Sequence, residues 1–274
     1  MYLETVDKFA ALAAKKVIAQ KKSPSAFFVS AMMAGAYVGL AIILIFTLGN
    51  DVDPSVRKLV MGTCFGISLT LVIFAGSELF TGYTMYMSIG WFRRRTTLAE
   101  SIKLCAIVWL GNLAGALLVT TLFVVAGGGN LVGGTVLYDL VGHKMHQPAL
   151  AIFAKGILCN WLVCLAVWMT ARTDNDVAKC IFIFWCLLAF IASGYEHSVA
   201  NMTGLSLGVM GGGDPSVNIA GWCHNLLWST LGNTVAGVLL MGGAYCFASR
   251  AAIAETGSHA PQPATEKDHQ TSFN

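Results

Sequence analysis

Long apolar segments separated by short polar ones run along most of this chain. Six of them are long enough to cross a lipid bilayer, at residues 26–48, 59–90, 104–126, 149–171, 180–209 and 219–247. A hydrocarbon core about 30 Å thick needs about 20 helical residues. The runs are nearly continuous and lack the two-residue alternation that is typical of a membrane β-barrel. The pattern therefore predicts an all-α membrane protein with six transmembrane helices.

The second and fifth segments are longer than one span requires, and each contains a glutamate two residues after a glycine. These elements are Gly76-Ser77-Glu78 and Gly194-Tyr195-Glu196. A carboxylate at the centre of a membrane helix costs about 2.5–3.5 kcal/mol on insertion scales. Interrupted helices at matching places in two halves are typical of a transport pathway. We therefore expect two broken helices. Glu78 and Glu196 would either cap the backbone N–H groups freed at each break, the favoured interpretation, or line the path and bind an ion directly.

The two halves of the chain share anchors in the same order. After a shift of 118 to 121 residues the matching pairs are Gly35 and Gly156, Glu78 and Glu196, and Asn112 and Asn233. Each half contains three predicted spans, an odd number, so the halves would face opposite sides of the membrane. This indicates a 3+3 inverted repeat whose broken second and fifth helices meet near the midplane.

Composition and charge narrow the function classes. The chain of 274 residues is 56% hydrophobic and only 11% charged, whereas soluble domains carry about 25% charged residues. A net charge of +3 gives no indication of a nucleic acid partner. The eight cysteines lie mostly in apolar segments without a Cys-x-x-Cys pair, so we predict no metal site and no cofactor.

The distribution of lysine and arginine predicts the orientation. Thirteen of these residues fall on the side of the N-terminus and three in the opposite loops, which places both termini in the cytoplasm. We divide the chain into a six-helix membrane domain at residues 1–252 and a polar cytoplasmic tail at residues 253–274. The composition of that tail is typical of disorder.

Several polar side chains at membrane depth are candidates for a pathway. His197 has an ordinary pKa of about 6.5, so at the midplane it can donate a hydrogen bond to an anion or transfer a proton. Thr81 offers a hydroxyl at the first break, beside Leu79 and Phe80, which are large enough to form an apolar constriction. Lys155, near the outer end of the fourth span, either extends to the lipid headgroups or attracts anions in a vestibule.

Four asparagines complete the candidate set. Asn112, Asn160, Asn201 and Asn233 are uncharged polar groups within the predicted spans, and they either fix the broken segments or line the path. Two other functions compete with an anion pathway. A neutral-solute or ammonium channel is less well supported, because the Asn-Pro-Ala pair expected of water channels is missing and a lone vestibule lysine suits anions better than ammonium. A haem-binding membrane enzyme would need His143, His146 and His224 as ligands, but His143 and His146 lie in a predicted loop and no paired arrangement of helical histidines is present.

Three sequence stretches identify a family resemblance. They are Gly76–Gly82 (GSELFTG), Cys159–Trp168 (CNWLVCLAVW) and Ser193–Met202 (SGYEHSVANM). These stretches resemble signatures of the formate/nitrite transporter family, and the resemblance covers about residues 1–250. It implies an aquaporin-like protomer, a homopentamer in the bacterial inner membrane with one pore per protomer, and passage of nitrite, with formate or hydrosulfide as alternative substrates.

The same resemblance implies roles for individual residues. His197 would be the central pore histidine and Thr81 the polar residue of the first broken segment. Leu79 and Phe80 would lie at the cytoplasmic constriction, and Lys155 would be the vestibule lysine. Asn160 and Asn201 would line the pore or fix its loops.

The membrane potential adds an expectation about mechanism. An inside-negative potential opposes uptake of a monovalent anion by about 2.3 kcal/mol per 100 mV. Movement of one proton with the anion removes this penalty, and export of the bare anion needs no such help. We therefore expect a bidirectional pathway that is not an enzyme, with protons as possible co-substrates.

Overall fold

The computed structural model describes residues 2–250, and within this range every regular element is a helix. The predicted tail at residues 253–274 lies outside the described residues. In chain order the helices are α1 Leu3–Lys22, α2 Pro24–Asn50, α3 Pro54–Phe74, α4 Phe80–Phe92, α5 Leu98–Val125, α6 Gly129–Gly133, α7 Val136–Met145, α8 Ala149–Thr170, α9 Asp176–Ala192, α10 Ser198–Gly211, α11 Ile219–Val235, a π-helix at Ala236–Gly243 and α12 Ala244–Ala248.

Five helices of the described chain are long and apolar enough to span a membrane: Pro24–Asn50, Pro54–Phe74, Leu98–Val125, Ala149–Thr170 and Ile219–Ala248. The predicted segment 180–209 corresponds to α9 and α10, of 17 and 14 residues. Each is shorter than the roughly 20 residues that a span needs. The segment 59–90 likewise covers α3 and the 13-residue α4.

The local sequence explains where α3 and α9 end. Gly76 and Gly194 adopt positive φ angles of 78° and 70°, the left-handed conformation with which helices commonly terminate. Glycine adopts it without a Cβ penalty. Residues 75–79 and 193–197 are therefore non-helical links, and α4 and α10 begin immediately after them.

Side chains in the loops fix several helix starts. The Asp53 carboxylate accepts the backbone N–H of Ser55 at 2.9 Å, and hydrogen bonds from the Ser55 side chain and backbone hold the pKa of this carboxyl below its ordinary value. Thr97 and Glu100 form a reciprocal capping box at α5. Such caps satisfy backbone donors that the first helical turn leaves unpaired.

The long helices pack in pairs at glycines. A Cβ on Gly115 of α5 would lie 1.8 Å from the carbonyl oxygen of Met32 in α2, and one on Gly232 of α11 would lie 2.2 Å from that of Phe153 in α8. Only glycine permits backbones to approach this closely. The α2–α5 and α8–α11 pairs thus form corresponding layers, and α3 packs on α9 between them.

Helices α1 and α7 and the π-helix were not predicted from the sequence. Helix α1 is amphipathic rather than continuously apolar, and it buries Phe9 against the rings of Tyr86 and Trp168. Helix α7 occupies the segment that was expected to be a loop, so that His143 lies on a helix and His146 at its end. The π-helix lies where Gly237 approaches Thr84, whose Oγ1 would be 1.8 Å from an added Cβ.

Candidate functional site

The starts of α4 and α10 bring a hydroxyl and an imidazole together in the interior. His197 Nε2 lies 3.2 Å from Thr81 Oγ1, and both residues are buried. His197 is also the N-cap of α10, because its Nδ1 accepts the backbone N–H of Ala200 at 3.0 Å. A ring nitrogen that accepts a hydrogen bond is unprotonated. The neutral ring therefore carries its proton on Nε2, which faces Thr81.

Two cavities lie in this part of the fold, one bordered by α7 and the other by α1. The α7-side cavity, of about 120 Å³, is lined by residues that include Lys58, Lys144, Asn201 and His197. The α1-side cavity, of about 470 Å³, is lined by residues that include Lys16, Glu78 and Leu79.

A narrow space of about 10 Å³ lies between the two cavities. Its walls include Leu79, which also lines the α1-side cavity, and Phe190 and His197, which also line the α7-side cavity. The Phe190 ring stacks on the imidazole, with ring centroids 5.8 Å apart. Leu79 and Phe190 are thus apolar walls that the narrow space shares with one or the other of the larger cavities.

Phe80 does not line this narrow space, so its expected place at the constriction stays a prediction. Its side chain lines a separate apolar groove of about 530 Å³ between α4, α5 and α11. Phe80 follows Leu79 directly and begins α4, so the two neighbouring side chains point in different directions. Phe190 was missed because nothing in its apolar helical segment distinguishes it from the other aromatic residues.

Asn112 holds the link before α4 in place. Its Oδ1 accepts the backbone N–H of Phe80 at 2.9 Å, and its Nδ2 donates to the carbonyl oxygens of Glu78 and Ala31, both at 2.8 Å. The amide therefore satisfies backbone groups on both sides of the link.

Asn233 makes the matching set of contacts in the second half. Its Oδ1 accepts the backbone N–H of Ser198 at 2.9 Å. Its Nδ2 donates to the carbonyl oxygens of Glu196 at 2.9 Å and Gly156 at 2.8 Å. The two asparagines act as the loop-fixing residues that the sequence allowed.

The glutamates do not cap backbone amides, so that expectation was wrong. Glu78 accepts Lys16 Nζ at 2.5 Å and the Tyr83 hydroxyl at 2.8 Å. Its backbone N–H is already paired with the carbonyl oxygen of Ser30, and the asparagine amide serves the start of α4. The carboxylate is therefore available for an ion pair with α1, a helix whose position the sequence pattern did not predict.

Glu196 is also ion-paired. It is 1% exposed, and its Oε2 accepts Lys144 Nζ at 2.9 Å and Asn201 Nδ2 at 2.7 Å. Its Oε1 accepts Gln147 Nε2 at 3.3 Å. These partners of the carboxylate lie on α7, in the link before α8 and on α10.

Lys144, rather than Lys155, stands on the wall of the α7-side cavity. Lys155 Nζ donates to the side-chain oxygen of Gln147, and Lys144 lines the cavity together with His197. Lys144 was overlooked because a lysine in an apparent loop has no distinctive sequence context. Lys155 is therefore not among the residues that line this cavity, and its expected vestibule role stays a prediction.

The other two asparagines have separate roles. Asn160 Nδ2 donates to the carbonyl oxygen of Asn233 at 2.6 Å and to Thr84 Oγ1 at 3.0 Å, which ties α8 to α11 and α4. Asn201 lines the α7-side cavity and also donates to Asn225 Oδ1 at 2.8 Å. Asn160 is thus a fixing residue and Asn201 is a lining residue.

Comparison with known proteins shows which family the chain matches. Residues 3–247 match the family described as Formate/nitrite transporter. The chain is 49% identical over 272 residues to the nitrite transporter NirC of Escherichia coli strain K12, covering 99% of this chain and 98% of the relative. It is 52% identical over 250 residues to NirC of Salmonella typhimurium, covering 91% and 93%.

Solved structures agree with these matches. An FNT family ion channel superposes with a TM-score of 0.86 at 50% identity, covering 90% of this chain and 99% of the other. A pentameric formate channel with formate bound superposes with a TM-score of 0.71 at 28% identity, covering 84% and 99%. With the family match over nearly the whole described chain, the protein belongs to the formate/nitrite transporter family.

Proposed function

We propose that this protein is a channel for nitrite that works in both directions. The pathway runs from the α1-side cavity past Leu79, along the Thr81–His197 pair, and out through the α7-side cavity. The observation that carries the proposal is a chain of shared walls. His197, whose Nε2 lies 3.2 Å from the Thr81 hydroxyl, lines both the α7-side cavity and the narrow space, and Leu79 lines both the narrow space and the α1-side cavity. Nitrite is the substrate named for relatives that are about half identical to this chain.

The centre suits a small anion with hydrogen-bond acceptors. The Nε2–H of His197 is a donor at a constriction whose walls are mostly apolar and include Leu79 and Phe190, and the Thr81 hydroxyl lies 3.2 Å from that nitrogen. Helices α4 and α10 both begin here, and the N-terminal end of a helix carries a partial positive charge. These groups replace the water that the anion loses on passing the apolar side chains.

A proton accompanies nitrite during uptake against an inside-negative potential. Because His197 Nδ1 accepts the Ala200 N–H, a second proton on the ring would displace the cap of α10. The geometry therefore favours a neutral imidazole that donates a hydrogen bond to the anion. Water in the cavities then supplies the proton, and the unprotonated anion moves outward.

Each non-helical link divides one membrane span, so the protomer has six spans in an inverted 3+3 arrangement like that of aquaporins. Asn112 and Asn233 support this proposal because their contacts correspond group by group. In these contacts the carbonyl oxygen of Ala31 takes the place that the carbonyl oxygen of Gly156 takes in the second half. The sequence comparison had paired Gly156 with Gly35, which lies one helical turn after Ala31. Three spans per half then place the halves in opposite orientations.

We further propose a homopentamer in the bacterial inner membrane with both termini in the cytoplasm. The related formate channel is described as pentameric, and the NirC relatives are bacterial. The α1-side cavity would open to the cytoplasm, because the arginines after α4 and the lysines of α1 lie on that side.

Uptake into proteoliposomes tests the substrate. Nitrite uptake by the purified protein is compared with uptake by protein-free liposomes, and formate and hydrosulfide are added as competitors. We expect protein-dependent nitrite flux that saturates. A flux that carries formate or hydrosulfide in strong preference to nitrite would instead assign the alternative substrate.

A further inference from the structure

The two lysines on the wall of the α7-side cavity differ in how their charges are compensated. Lys144 is ion-paired with Glu196 at 2.9 Å, so this pair contributes no net charge. Lys58 lies in the first part of α3 and lines the same cavity while remaining exposed to solvent. Within residues 2–250 its ammonium group makes no ion pair or hydrogen bond.

No carboxylate among the described residues on the cavity wall offsets Lys58. The acids closest to it in sequence are Asp51 and Asp53, both exposed in the loop between α2 and α3. They accept hydrogen bonds from Asn50 and Ser55. Neither acid lines the cavity, whereas Lys58 does, and Arg57 beside Lys58 adds a further positive charge to this end of α3.

The opposite cavity is arranged differently. Lys16 and Lys179 both line the α1-side cavity. Lys16 is ion-paired with Glu78 at 2.5 Å and Lys179 with Asp176 at 2.8 Å. An uncompensated lysine on the cavity wall therefore distinguishes the α7 side from the α1 side.

We propose that Lys58 is a further residue of the transport pathway, which concentrates the anion at the mouth of the α7-side cavity. It attracts nitrite by its charge alone, ahead of the Thr81–His197 pair, and so raises the flux at nitrite concentrations below saturation. This inference rests on the proposed function. It assigns to Lys58 the electrostatic task that the sequence had suggested for Lys155.

Substitution of Lys58 and variation of ionic strength test the proposal. A unit charge about 8 Å from an anion in water changes the local anion concentration by about two- to threefold. At an ionic strength of about 10 mM and low nitrite, Lys58→Gln should therefore lower nitrite uptake into proteoliposomes by about two- to threefold, and Lys58→Glu by about sixfold. The rate at saturating nitrite should not change.

A further variant serves as the control. Lys58→Arg keeps the charge and should behave as the unmodified protein. At about 1 M ionic strength the Debye length falls to about 3 Å, so the deficits of Lys58→Gln and Lys58→Glu should disappear.

The outcomes separate the inference from the function on which it rests. Equal uptake by Lys58→Gln and the unmodified protein at low ionic strength overturns the inference, as does a deficit that persists at about 1 M salt. If the unmodified protein carries nitrite no faster than protein-free liposomes do, the proposed function fails instead.

Discussion

His197 combines two tasks in a single side chain. Nδ1 caps α10 through the Ala200 N–H and Nε2 faces Thr81, so the position of the helix fixes the direction of the donor proton. The sequence showed a histidine beside a glutamate at membrane depth. It did not show the cap, because that depends on where α10 begins.

Replacing His197 tests the proposed central donor. A hydrogen bond to a charged group contributes about 1.5–3 kcal/mol, so His197→Phe should lower nitrite flux by about tenfold or more and alter its dependence on pH. His197→Asn retains a side chain that can cap α10 and removes the imidazole. It should show the same loss of flux with better retention of thermal stability.

The measurement is nitrite uptake into proteoliposomes between pH 5 and 8. His143→Gln, at an exposed position on α7, is the matched control and should leave the profile unchanged. If His197→Phe reproduces the profile of the unmodified protein, the imidazole has no part in transport.

The Lys144–Glu196 ion pair allows a test of how a net charge beside the proposed pathway affects nitrite flux. Removing one partner of a buried pair leaves an uncompensated charge. Lys144→Gln should therefore place a net negative charge beside the pathway and lower the flux at low nitrite by about tenfold. Adding Glu196→Gln to this variant restores neutrality and should recover most of the flux.

Lys155→Gln provides the comparison, because Lys155 contacts Gln147. We expect its effect to be similar at low and at saturating nitrite, as for a residue that acts through structure. A loss confined to low nitrite would return the anion-attracting role to Lys155.

At the scale of elements, the helix pairs α2–α5 and α8–α11 depend on glycine. A Cβ on Gly115 would overlap the Met32 carbonyl oxygen at 1.8 Å. We expect Gly115→Val to separate α2 from α5 and lower the midpoint of thermal unfolding in detergent, since overpacking costs about 1–3 kcal/mol or more. Gly133→Ala, with no atom within 4 Å of the new Cβ, should be neutral. An equal midpoint for both variants would contradict this account of the pairing.

The sequence predicted the elements that carry a strong apolar signal and missed those that do not. Residues 104–126 and 149–171 lie within or close to α5 and α8. Helix α1 escaped prediction because only one face is apolar, and it gains its stability by burying Phe9 between rings from distant segments. The ion pair between Lys16 and Glu78 could not be predicted either, because Lys16 lies on α1.

The sequence selected many of the residues of the candidate site but not the contacts that they make. Thr81 and His197 lie together as a central pair, and Asn112 and Asn233 hold the links. The roles of Phe80 and Lys155 could not be derived, because the direction of a side chain at a helix start depends on the path of the preceding link. In the sequence, Lys58 and Lys144 look like ordinary loop lysines. Only the fold shows that both line the same cavity.

At the scale of the whole molecule, the proposed pathway joins two sides of a membrane that differ in potential. A bare monovalent anion moving inward works against about 2.3 kcal/mol per 100 mV, roughly fifty-fold in the equilibrium ratio. Nitrite that moves with a proton carries no net charge and is indifferent to the potential. The charge carried per nitrite therefore distinguishes the two modes.

Proteoliposomes with an imposed potential make this distinction measurable. A potassium gradient with valinomycin sets the interior about 100 mV negative or to zero, and nitrite accumulation is followed at two pH values. If a proton accompanies nitrite, accumulation at acid pH should be nearly equal at both potentials, after subtraction of the uptake by protein-free liposomes. As the pH rises and the bare anion dominates, the negative potential should reduce accumulation by up to about fifty-fold. A fifty-fold effect of potential at every pH would show that only the anion passes, and the proton would then have no place in the mechanism.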